Sequence, residues 1–94
     1  MKKWTVNIEN KPDYRIVVSI DLLKELLSFS GQWKRPKSNE WLEFYVEEYS
    51  TDLDLEKIKE LLLKTYEELN KRVKTYENIA EGFKYIQLIE VKED

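Results

Sequence analysis

The sequence predicts an α+β domain. Four strands and two helices in β-β-α-β-α-β order would form a two-layer sandwich, with one short and one long helix on one face of a four-stranded, mostly antiparallel sheet. Three observations carry this. Apolar residues alternate strictly at positions 3–9, 14–20 and 41–49. A stripe with helical spacing runs from Leu55 to Ala80. The length, 94 residues, fits one domain over 1–94, since domains cluster at roughly 100 to 150 residues.

The first strand is "KWTVNIE", residues 3–9, with Trp4, Val6 and Ile8 on one face and Lys3, Thr5, Asn7 and Glu9 on the other. "NKPD" follows, and each of its turn-forming residues has its own reason to bend the chain. Residues 14–20, "YRIVVSI", place Ile16, Val18 and Ile20 on one face and are rich in β-branched residues. These two segments read as a hairpin.

Asp21 precedes "LLKELLSF" and suits a helix N-cap. Leu22, Leu23, Leu26, Leu27 and Phe29 would form the apolar stripe of a short helix over 21–29, with Gly31 at its C′ position. Residues 32–40 read as a loop, because Pro36 blocks helix continuation. In the strand "WLEFYVEEY", residues 41–49, Leu42, Phe44 and Val46 form one face and Trp41, Glu43, Tyr45, Glu47 and Tyr49 the other.

The long helix is the strongest signal. Leu55, Ile58, Leu62, Tyr66, Leu69, Val73, Tyr76 and Ala80 step by three and four. Asp54, Asp52 or Thr51 would cap it; with Asp54 as the cap, Leu53 and Ile58 would staple its entry, and Gly82 would stop it. A helix over 54–81 would be about 40 Å long, while strands of seven to nine residues reach only about 25 to 30 Å. Its far end must overhang, bend, or find another surface. The last strand is expected over 83–92, "FKYIQLIEVK", with apolar residues on both faces.

Composition bounds the function. There is no cysteine and no histidine. Disulfides, thiolate metal sites, Cys nucleophiles, the commonest general base and the commonest transition-metal ligand are all absent. No Gly-rich phosphate loop is present, since the only glycines are Gly31 and Gly82. Glu43 and Glu47, four residues apart along a strand, lie about 13 Å from each other, wider than the roughly 5 to 9.5 Å of glycosidase pairs. A non-enzymatic chain without metal or cofactor is expected. No run reaches the ~18 apolar residues of a membrane span, and the lysines near the start precede no apolar signal region. A cytoplasmic protein with no membrane partner is the expectation.

Two constellations suggest binding. From Glu40 to Glu56 there are seven acids and no Lys or Arg. Trp41, Glu43, Tyr45, Glu47 and Tyr49 would then make an aromatic and acidic sheet face, fit for a protein partner or a second copy of the chain as a homodimer. An inhibitor, an immunity protein or an antagonist would use such a face. The alternative lies in "GQWKRPKSNEW", where Trp33, Lys34, Arg35 and Lys37 could stack bases and neutralise phosphates. A net charge of −3 and a pI near 5.1 weigh against a dedicated nucleic-acid binder.

Overall fold

A computed structural model describes residues 1–86. The order is β1 (Lys2–Ile8), β2 (Lys11–Asp21), β3 (Leu26–Lys34), β4 (Trp41–Ser50) and α1 (Leu55–Ile86). The four strands form one antiparallel meander, β1-β2-β3-β4. Among the described residues the fold is therefore α+β in two layers, but β-β-β-β-α with one helix, not the expected β-β-α-β-α-β with two.

The correction lies first at 21–34. Asp21 does cap its local turn, its carboxylate accepting from the N–H groups of Leu23 and Lys24 at 3.1 and 3.3 Å. The turn closes a hairpin rather than opening a helix. Glu25 takes φ 53°, and the chain enters β3. Leu22 and Leu23 are left exposed, while Leu27, Phe29, Gly31 and Trp33, at period two, are all buried. The buried alternation includes a glycine, which carries no side chain to mark it. Gly31 is no C′ residue, since no glycine has positive φ. A Cβ there would stand 3.1 Å from the Leu69 Cβ, so its task is close passage of α1 over the sheet.

The second correction lies at the chain's end. Residues 83–86 of the expected last strand are helical, and 87–92 lie outside the described residues. Gly82 sits within α1, where it does not stop the helix. At the other end the reading holds. The Lys57 N–H donates to the Asp54 carboxylate at 2.8 Å, an N-cap bond to the third helical residue, and Leu53 and Ile58 pack against the same core cluster.

The core lies between α1 and the β2–β4 side of the sheet. Leu27, Phe29 and Leu61 form one cluster, and Trp33, Leu69 and Val73 the other. Trp33 packs edgewise on Tyr76, with ring centroids 5.6 Å apart. The helix lies over β3 and β4, touches β2, and makes no close backbone approach to β1. It also outruns the sheet. At 1.5 Å per residue its 32 residues span about 48 Å, and the molecule measures 51 × 25 × 20 Å.

Candidate functional site

The expected aromatic and acidic face of β4 is divided by a β-bulge. Gly31 pairs with Tyr45, but Gln32 pairs with Glu43, leaving Phe44 as the extra residue. A bulge shifts alternation by one position. Phe44 and Tyr45 consequently both meet the helix layer: Phe44 packs on Trp33 and Tyr76, and Arg72 lies 5.1 Å over the Tyr45 ring. Arg72 also donates to the Phe44 carbonyl at 3.1 Å. Val46, expected inside, is exposed. No single-residue pattern in the sequence marks this bulge.

The five expected contact residues therefore belong to two surfaces. Tyr45, Glu47 and Tyr49 stand on the helix side. Tyr45 is buried, and Tyr49 packs edgewise on Phe29. The Tyr49 hydroxyl donates to the Glu47 carboxylate, and the Lys64 ammonium donates to the same oxygen at 3.1 Å. The Tyr49 hydrogen bond leads in holding Glu47 below the ordinary carboxylate range, with Lys64 next. Glu47 in turn holds the Lys64 proton more tightly than a free lysine would. That shift is opposite to the one a nucleophilic lysine needs. Burial, reinforced by the nearby Glu47 carboxylate, raises the Tyr45 pKa, and among the described residues no partner lies within bonding distance of the buried Tyr45 hydroxyl.

Trp41 and Glu43 occupy the open face of the sheet. The Arg15 guanidinium stacks 4.1 Å from the Trp41 ring centroid and Lys34 lies 5.8 Å from it. Arg15 donates to Gln32 at 2.7 Å, Gln32 to Ser30 at 3.1 Å, and Ser30 to Glu43 at 2.7 Å. Of the four residues of the basic alternative, Trp33 is in the core, Lys34 joins this open-face network, and Arg35 and Lys37 lie in the β3–β4 connection. The Ser38 N–H closes a turn onto the Arg35 carbonyl at 3.1 Å there, and Lys37 has φ 66°. From the sequence Arg15, like Lys11, could enlarge the basic patch but its position is set only by register; the β2–β3–β4 pairing brings Arg15 over the Trp41 ring.

A larger feature lies on the helix side, beside β1. Trp4, Val6, Val18, Ile20, Leu27, Phe29, Leu53, Ile58 and Leu62, together with Thr51, line a groove of about 430 Å³. Trp4 is 45% exposed there. The helix supplies more apolar surface: Leu55 and Leu63 are exposed, and helical spacing puts Leu55, Leu62 and Tyr66 on the flank turned toward β1. The opposite flank, over β4, carries Lys64, Glu68 and Arg72.

Among the described residues no group of three or more acids could hold a metal ion, and no helix is long and apolar enough to cross a membrane. No protein-family model matches the chain, and no curated protein or solved structure matches it either.

Proposed function

We propose that this chain is a non-enzymatic protein-binding domain whose docking surface is the β1 side of the sheet, which no helix covers among the described residues. The observation that carries this is the open groove bordered by a tryptophan that is 45% exposed. Trp and Tyr concentrate at the energetic centres of interfaces, where they fill apolar depressions. A single helix, about 10 Å across, cannot cover four strands spaced about 4.8 Å apart. The uncovered strand bears Trp4 and Val6 on the same face as the core. The absence of histidine and cysteine and the tightened Lys64 proton support binding over catalysis.

The test is binding of an apolar dye, anilinonaphthalene sulfonate, with Val6→Glu as the control. Dye uptake by a folded protein with an open groove, lost in Val6→Glu, supports the reading. Absence of uptake with the groove open contradicts it.

A second reading rests on Trp41 between Arg15 and Lys34. Aromatic rings beside cations suit single-stranded nucleic acid, with Arg35 and Lys37 extending the basic set. Glu43 lies within the same network, and Trp33 is withdrawn into the core. Filter binding at low and moderate salt decides it: retention lost as salt rises, and lost in Lys34→Ala, supports contact through phosphates. No retention at low salt ends it.

A further inference from the structure

We infer that the Arg15 guanidinium, on the open face of the sheet, is a preset fork for the phosphate group of a phosphate monoester. The inference goes beyond both readings above; it shares Trp41 with the second and does not depend on it. It is carried by how the cation is held, which of its edges is left over, and what charge lies nearby.

Arg15 stands on β2, Gln32 and Lys34 on β3, and Glu43 and Trp41 on β4. Pairing puts Arg15, Gln32 and Glu43 in one row, and Lys34 and Trp41 in the next row of the same face. A side chain of β2 therefore meets the indole of β4 above β3. The guanidinium carbon lies 4.1 Å from the Trp41 ring centre, a contact that favours a planar, weakly hydrated cation. The Arg15 Nε–H donates to Gln32 Oε1 at 2.7 Å. The ring restrains the cation from one side, and the Nε bond restrains its rotation. Gln32 is tied in turn to Ser30, which is 5% exposed and donates to Glu43.

With Nε committed to Gln32, the two terminal nitrogens remain. Among the described residues neither has a hydrogen-bond acceptor. Their edge offers two parallel N–H donors, the arrangement that takes two oxygens of a phosphate or carboxylate together. Ordering the fork before a ligand arrives removes part of the entropy cost of binding.

Charge selects the oxyanion. Among the described residues Lys57, Lys59, Lys64, Arg72 and Lys84 each pair with a carboxylate, whereas Arg15 and Lys34 pair with none. Lys34 lies 5.8 Å from the same ring centre. Two cations without a carboxylate partner thus share one half-buried indole, and partial burial strengthens their field relative to open water. Glu43 already accepts from Ser30. A phosphate monoester carries up to two negative charges on three acceptor oxygens. Two oxygens fill the fork, and the flexible stem of Lys34 lets its ammonium turn to the third. A carboxylate fills the fork alone and leaves Lys34 without a role.

Two-dimensional NMR of the full chain, titrated with inorganic phosphate and with phenyl phosphate at constant ionic strength, tests this. The Arg15 Nε–H and Trp41 indole N–H signals should shift saturably, and the indole signals of Trp4 and Trp33 should stay. Arg15→Lys keeps the charge and loses the fork, so binding should weaken about tenfold or more. Trp41→Phe keeps a ring beside the cation and should bind nearly as well as the wild type. Amide signals of β1 and α1 report whether each variant is folded, and the wild-type titration decides if Arg15→Lys is not. No saturable shift in the wild type, or equal binding by folded Arg15→Lys, overturns the inference. Equal shifts with acetate make the fork a carboxylate site and overturn it too. Oligothymidylate separates this inference from the strand reading. Phosphate binding without oligothymidylate binding supports the inference and removes the strand. Oligothymidylate binding lost in Lys34→Ala and kept in Arg15→Lys, with no phosphate shift, leaves the strand and removes the inference.

Discussion

Trp4 and Trp33 stand on the same face of the same sheet, two strands apart. Trp33 is 5% exposed and Trp4 45%. The difference is where α1 lies. Over β3 the missing side chain of Gly31 lets the helix approach, and Leu69, Val73 and Tyr76 close over Trp33. Among the described residues no helix arrives over β1. One half of the sheet is a finished core. The other half has the side chains of a core, but no described element closes over it.

The largest effect should separate the two halves directly. Phe29 is fully buried, so Phe29→Ala should cost about 3 to 5 kcal/mol. Trp4→Ala should cost the monomer about 0.5 kcal/mol, as surface substitutions do. Urea unfolding of each variant at low protein concentration measures both. Similar costs would mean that β1 is packed as tightly as β3.

Gly31→Ala comes next. Its Cβ would meet the Leu69 Cβ at 3.1 Å, so the helix must give by a few tenths of an ångström, at about 1 to 3 kcal/mol. Thermal melts would show the lower midpoint. A neutral result would mean that helix and sheet are not held at this spacing.

A smaller effect has the opposite sign. Among the described residues no partner lies within bonding distance of the buried Tyr45 hydroxyl, so Tyr45→Phe removes an unsatisfied group and should stabilise the covered half by up to about 1 kcal/mol. Destabilisation in urea would show that the hydroxyl is bonded in solution.

The smallest effect concerns pH. Glu47 has a depressed folded pKa, so its contribution is present above the ordinary carboxylate pKa and fades as pH falls through the folded value. Lys64 has a raised pKa, so its share is present below the ordinary lysine value and fades only in strong alkali. Both contributions are complete near neutrality. Both groups are substantially exposed, and such pairs contribute little. Glu47→Gln should slightly flatten the acid limb of a stability–pH profile, and an unchanged limb would remove the pair from the account.

Much of the covered half was legible in the sequence, and the way the reading failed is physical. β1, β2, β4 and the start of α1 fall close to where alternation, turn residues and the Asp54 cap place them. β3 was hidden because "LLKELL" has helical spacing over one turn and because Gly31 breaks the visible alternation. Local propensity lost to the register of Leu27, Phe29 and Trp33 in the core. The bulge at Phe44 turned Tyr45, Glu47 and Tyr49 toward the helix, away from Trp41 and Glu43, and one inserted position in pairing leaves no residue-type signal. The helix overhang was legible as a length that did not fit. The groove was not, because it depends on which strands one helix covers.

The central claim is that α1 covers the β3 side of the sheet and leaves the β1 side open. Hydrogen exchange of the β1 amides that bond to β2, compared with those of β3, tests it most directly. The account predicts that the β1 amides exchange markedly faster than those of β3. β1 exchange as slow as that of β3 would contradict it.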